Sequence, residues 1–161
     1  MNLFAWLESL PVSQAILTSI WLHPYLLAGH SIGMGVVVGI IFMLSLRALG
    51  YARGIPIEMF ERLAGLGWAG FALNLVTGVL MFMAYAHVLA TNWTFDVKMI
   101  CILAGGLSLW VLSRSIKAAR LRAAEIVFTR QDKLIAVITM AFWLGAIATG
   151  RLIAYTAPEG V

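Results

Sequence analysis

Long runs of apolar residues, separated by short polar connections, dominate this chain. Four such runs cover about residues 14–46, 63–89, 97–112 and 134–155. A helix of about 20 apolar residues is long enough to cross the hydrocarbon core of a bilayer. The alternating pattern that transmembrane β-strands require does not occur. The sequence therefore predicts an all-α integral membrane protein, a four-helix bundle formed as a single domain over residues 1–161.

The segment before the first run has a different pattern. Leu3, Phe4, Leu7 and Leu10 recur at helical spacing, and no Lys or Arg lies among them. We expect a short interfacial helix over about residues 2–10, lying on the outer membrane surface with its apolar side toward the lipid. Because the basic start of a secretory signal is missing, we expect this segment to be retained.

Composition agrees with the pattern. The chain is 62% hydrophobic and 11% charged, with a mean hydropathy of +0.96, whereas soluble domains contain about 25% charged residues. The net charge of +4 does not indicate nucleic acid as a partner, because an excess of Lys and Arg in a membrane protein usually marks cytoplasmic loops. The lipid bilayer is the first partner that the sequence predicts.

The basic residues orient the predicted bundle. Nine of the eleven Lys and Arg lie in or beside the first and third connections: Arg47, Arg53, Arg62, Arg114, Lys117, Arg120, Arg122, Arg130 and Lys133. By the positive-inside rule these connections face the cytoplasm. Both termini are then on the outer side, which we expect to be the periplasmic side of a bacterial inner membrane.

Four ionisable residues in or at the ends of apolar runs are the candidates for function: His23, His30, His87 and Arg151. A charged side chain at the centre of a membrane helix costs at least about 2.5 kcal/mol on insertion scales. Residues of this kind usually face a partner, a cavity or a cofactor. Counting about 1.5 Å per residue from the inner helix ends places all four in the outer half of the bilayer.

This depth estimate favours a b-type haem. His23 and His87 come from facing helices at matched depth, so they are the predicted axial pair and metal ligands. His30 is the alternative ligand, although pairing it with His87 leaves a mismatch of about 12 Å, or two helical turns. Lys98 and Arg151 are the cations that could bind the haem propionates.

Copper is a second hypothesis for the same region. His30 with Met34, and Met83 with His87, each have the i,i+4 spacing of one helix face. Imidazole and thioether ligands suit Cu(I), which is a soft ion. We rank copper below haem, because methionine is a common filler of irregular gaps in apolar proteins and the two pairs differ in depth.

Several short motifs also resemble a known family. The segments WLHPYLLAGHSIGMGVVVG, LRALG, the F-x-x-K of FDVK, and GRLIAY are similar to those of an uncharacterised family of small bacterial four-helix inner-membrane proteins. The resemblance implies a four-helix bundle without an established activity, and it implicates His30, Lys98 and Arg151. His23 stands where that family more often has an aromatic residue, and the asparagine expected after AGG is absent here.

Two functions follow as expectations. The first is a small membrane subunit that binds haem b and passes electrons to or from a quinone or a partner protein. The alternative is a non-catalytic anchor or assembly subunit of a larger complex with other membrane or periplasmic subunits, in which Arg151 and His30 contact neighbouring helices. The sequence does not decide whether the protein is an enzyme.

Overall fold

The structure, a computed structural model, describes residues 2–51, 54–56, 58–122 and 128–157, and for residues 60, 61 and 118–122 it describes only the backbone. Arg53 and the side chains of Arg120 and Arg122, which contribute to the predicted orientation, lie outside this description. Every regular element in the described part is helical. The helices are α1 (Leu3–Glu8), α2 (Pro11–Thr18), α3 (Leu22–Leu49), α4 (Glu58–Ala84), α5 (Ala86–Ala90), α6 (Trp93–Arg122) and α7 (Arg130–Thr156).

Four of these helices are long and apolar enough to cross a membrane. The candidate spans are Leu22–Leu49, Arg62–Ala84, Trp93–Lys117 and Arg130–Thr156. This architecture is compatible with a multi-pass membrane protein, and it agrees with the all-helical, four-span prediction. Many apolar side chains on the spans are exposed in the isolated chain, as expected for helices surrounded by lipid.

The first span begins at Leu22, whereas the sequence pattern placed its start near Gln14. Residues 11–18 form the separate helix α2, which begins at Pro11, where a missing backbone N–H costs nothing. The extended backbone at Ser19 then ends α2. Only the short polar pair Thr18–Ser19 interrupts the apolar run here, so hydrophobicity alone does not reveal the break.

The second span also differs from its predicted extent, ending at Ala84 rather than near Leu89. The backbone of Tyr85 leaves the helical region, with φ −123° and ψ 35°, and α5 follows as a separate short helix. Helix α6 begins at Trp93 and continues beyond the apolar run of residues 97–112 into the basic segment, a helical continuation that the sequence leaves open.

Local signals define two other helix ends. Gly50 ends α3 with φ 99°, a left-handed conformation that glycine adopts without steric cost. Thr129 and Asp132 begin α7 as a capping box, in which each side chain bonds to the backbone N–H of the other residue.

The long helices pack as two antiparallel hairpins. One is α3 with α4 and the other is α6 with α7, and contacts between α3 and α7 join them. We call the end where α3 begins and α7 ends the terminal end of the bundle, and the opposite end the loop end. Buried apolar residues fill the loop end, around Ala48, Leu112 and Ala136, and the middle, around Val38 and Trp143.

The short helices cover the terminal end. Helix α1 contacts α4 and α5, and α2 packs against α3 and α4 with Ser13 and Ile16 buried. The Glu8 carboxylate accepts a 2.8 Å hydrogen bond from the backbone N–H of His87, which links α1 to α5. Helix α1 thus occupies the segment for which the sequence predicted a short helix over residues 2–10, and α2 lies where the first apolar run was predicted to begin.

Candidate functional site

The centre of the candidate site is His30, which α3 directs toward α4. Its Nδ1 lies 3.0 Å from the backbone oxygen of Asn74 and 3.2 Å from the hydroxyl of Thr77. In return, the side-chain amide of Asn74 donates a 2.8 Å hydrogen bond to the backbone oxygen of His30. These reciprocal bonds hold the two helices together and fix the imidazole ring.

The hydrogen bond to Asn74 determines the tautomer of His30. A backbone carbonyl can only accept a hydrogen bond, so Nδ1 must carry the proton. In the neutral ring Nε2 then holds the lone pair. This atom is buried and has no hydrogen-bond partner in the described part of the chain. Two other buried side-chain atoms share that condition, Ser45 Oγ and Trp143 Nε1, but an imidazole nitrogen is the better metal ligand.

A glycine on α4 makes room for the imidazole ring. A Cβ atom built on Gly78 would lie 3.1 Å from Cε1 of His30, so the ring rests against the α4 backbone. One turn further into the bundle, Gly33 and Gly70 bring the same two helices into close contact: a Cβ on Gly33 would lie 2.6 Å from the Gly70 carbonyl oxygen. Small residues of this kind are the usual means of close helix packing in membranes.

Lys98 approaches His30 from the second hairpin. It lies close enough for its charge to act on the imidazole of His30. Its side chain is partly buried and passes over Gly150 of α7, where a Cβ would lie 3.5 Å from Cε and 3.6 Å from Nζ of Lys98. We call His30, Asn74, Thr77 and Lys98 the interior polar cluster.

Arg151 occupies the expected level but faces another direction. It follows Gly150, which contacts Lys98, so it lies near the level of the interior polar cluster. Its side chain is exposed, and it forms no hydrogen bond or ion pair with another residue of the described part. Of the two predicted propionate-binding cations, the structure brings only Lys98 toward His30.

His23 and His87 lie at the terminal end, away from the apolar interior. His23 is in the first turn of α3, and its ring meets that of Tyr85 edge-on at 5.4 Å. Burial raises the pKa of the Tyr85 phenol, so this neighbour stays neutral. The side chain of His87 is exposed on α5. Within the described ranges the two imidazoles form no hydrogen bond or ring contact with each other, and their haem ligation stays a prediction.

The copper hypothesis also stays a prediction. Within the described ranges, no group of three or more His, Cys, Asp or Glu side chains is arranged to hold a metal ion. Met34 packs against the apolar core in the middle of the bundle, beside Val37, Val38 and Trp143. The lone cysteine, Cys101, is partly buried and rests against Gly145.

The site includes residues that the sequence did not single out for chemistry. Asn74 and Thr77 interrupt the apolar second run, and a polar residue in such a run commonly bonds to a neighbouring helix. That signal marks α4 as a polar partner without identifying His30 as the residue it contacts. The roles of Gly78 and Gly150 depend on which side chain lies opposite each of them.

The chain matches no protein-family model, no curated protein and no solved structure. The interior polar cluster is therefore the feature of the chain from which its function is inferred.

Proposed function

We propose that this chain is a small membrane subunit that binds haem b, which His30 would hold through its imidazole, and that it passes electrons to or from a quinone or a partner protein. One observation carries the proposal: the Nε2 atom of His30 is buried, unpartnered and deprotonated in the neutral ring. Bound haem would supply one-electron redox chemistry.

The surroundings of His30 fit a metal-ligating imidazole. Such a residue almost always donates its other ring N–H to a carbonyl or carboxylate, which fixes the ring and makes the ligating nitrogen more basic. The backbone oxygen of Asn74 has this role for His30. The nearby Lys98 ammonium would offset the negative charge of a haem propionate rather than aid the imidazole itself. His23 and His87 stay candidates for a second residue that would hold the haem.

The optical spectrum of protein purified from haem-replete cells tests this proposal. We expect a Soret band, and α and β bands after reduction with dithionite. His30→Gly should abolish the bands, and added imidazole should restore them by occupying the vacated space. His87→Ala is the comparison: it removes an exposed imidazole and should retain haem bands because His30 remains, and a shift of those bands would identify His87 as the second ligand.

Two results would contradict the assignment. A haem-replete preparation of folded protein without a Soret band would exclude haem b. If His30→Gly leaves the spectrum unchanged and His87→Ala abolishes it, the haem is held by the histidines of the terminal end instead of by His30. If haem is present, its reduction by a water-soluble quinol tests the proposed electron transfer.

Arg151 favours a second function, that of a non-catalytic anchor or assembly subunit. An exposed guanidinium in a membrane helix is costly unless it reaches the interface or a partner. In this reading Arg151 contacts an acidic group of another subunit. This second function predicts that a stoichiometric partner co-purifies in mild detergent and that the Arg151→Met variant loses this partner. A chain that purifies alone, as a monodisperse species without haem, would oppose both proposed functions.

We also propose that the terminal end faces the periplasm and that the protein lies in a bacterial inner membrane. The support is the basic charge near the loop end: Arg47 lies in the last turn of α3, and Arg130 and Lys133 lie in the first turns of α7. At the terminal end, the spans contribute only Lys98 and Arg151. On this orientation the interior polar cluster lies in the outer leaflet.

A further inference from the structure

Lys98 is a charged group directed into the bundle rather than out of it. It lies five residues after Trp93, where α6 begins, and thus about 7.5 Å from that helix end. A lysine at this depth can usually extend its side chain to the membrane surface. Here the aliphatic part of the side chain crosses Gly150 instead, with Cδ, Cε and Nζ all within van der Waals contact of that position.

The described part of the chain supplies no acidic partner for this ammonium. It contains four acidic side chains, and each lies at a helix end: Glu8, Glu58, Asp96 and Asp132. Asp96 precedes Lys98 by two residues and is exposed. Glu8 bonds to the backbone of His87, and Asp132 bonds to Thr129. Lys98 itself forms no hydrogen bond or ion pair with a described residue.

We propose that Lys98, lying on Gly150, binds the carboxylate of a largely apolar ligand that enters from the membrane. A cation held away from water is stabilised by a compensating anion, and a single ammonium balances the single charge of a carboxylate. This inference deepens the proposed function, because a haem propionate is one source of the carboxylate. A fatty acid from the surrounding membrane is the other.

Metal-free protoporphyrin IX tests this site without any contribution from iron ligation. It carries two carboxylates, whereas its dimethyl ester carries none. We expect the purified protein to bind the diacid about tenfold more tightly than the ester, as measured by porphyrin fluorescence. Lys98→Met replaces the lysine with an apolar side chain of similar length and thereby removes the charge. This variant should lose the preference for the diacid and retain affinity for the ester.

Arg151→Met is the matched control, because it removes one positive charge at the same level from an exposed position. It should leave the preference for the diacid unchanged. The inference is wrong if Lys98→Met keeps the preference, or if Arg151→Met loses it to the same extent.

A second probe separates this inference from the haem proposal. The carboxyl ¹³C resonance of labelled laurate should shift on binding to the wild type and not to Lys98→Met. If the porphyrin does not bind but laurate shows this dependence on Lys98, the carboxylate site stands with a fatty acid as its ligand, and the optical spectrum decides the haem proposal separately. If neither acid depends on Lys98, the carboxylate site is refuted, and ligation by His30 is judged by the optical spectrum alone.

Discussion

At the scale of single residues, the ability of His30 to bind a metal depends on which of its two ring nitrogens carries the proton. Three histidines occur in the chain, and the depth estimate favours His23 and His87 because their levels match. The structure shows that the carbonyl oxygen of Asn74 fixes the tautomer of His30. An estimate of membrane depth contains no information about this hydrogen bond. That oxygen belongs to the backbone, so a change of the Asn74 side chain should leave the tautomer intact.

Asn74→Leu tests this point. It removes the side-chain hydrogen bond to the His30 carbonyl oxygen and should lower stability by about 0.6 kcal/mol, the average for an interhelical hydrogen bond in a membrane protein. In protein labelled with ¹⁵N-histidine, His30 should keep a protonated Nδ1 and an unprotonated Nε2 at pH 8. His30→Gln identifies the resonances. A change of tautomer in Asn74→Leu would show that the side chain, rather than the backbone, controls the ring.

At the scale of helices, the sequence predicted the number and type of spans but not how they meet. Apolar length is enough to identify four membrane helices, because each one must satisfy its own backbone hydrogen bonds in lipid. The breaks at Ser19 and Tyr85 lie within apolar segments, so hydrophobicity did not reveal them. The contact of Lys98 with Gly150 depends on which faces of α6 and α7 meet, and no single-sequence pattern specifies this.

Two glycines on α3 make the role of helix packing testable. A Cβ on Gly33 would lie 2.6 Å from the Gly70 carbonyl oxygen and 2.8 Å from the Asn74 nitrogen, whereas a Cβ on Gly35 would have no neighbour within 4 Å. Gly33→Ala should therefore separate α3 from α4 and destabilise the bundle by about 1–3 kcal/mol, the usual cost of overpacking. Gly35→Ala should be neutral or stabilising, because alanine favours helix over glycine.

Unfolding of both glycine variants in mixed detergent micelles, followed by circular dichroism, gives the comparison. Because the two positions are on the same helix and receive the same substitution, helix propensity cancels between them. Equal stability of the two variants would mean that α3 and α4 do not cross at Gly33. Separation of these helices should also weaken the bond between His30 and Asn74, so Gly33→Ala is expected to disturb the haem spectrum where Gly35→Ala does not.

At the scale of the whole molecule, the polar residues of the interior polar cluster are concentrated toward one end of the bundle. Apolar clusters fill the middle and the loop end, while His30, Asn74, Thr77 and Lys98 lie toward the terminal end. Helices α1 and α2 cover that end of the first hairpin. A ligand that reaches the interior polar cluster therefore has a shorter path from the leaflet at the terminal end than from the opposite leaflet.

The orientation of the bundle decides which compartment the leaflet at the terminal end faces. Cysteine labelling in intact cells measures this orientation. In a Cys101→Ala background, Ser9→Cys places a thiol at the exposed terminal end and Gln131→Cys places one near the loop end. With both termini outside, a membrane-impermeant maleimide should label position 9 in intact cells and position 131 only after permeabilisation. The reverse pattern would place Lys98 and His30 in the cytoplasmic leaflet. Any electron partner would then be cytoplasmic, because a haem held there would lie far from the periplasm.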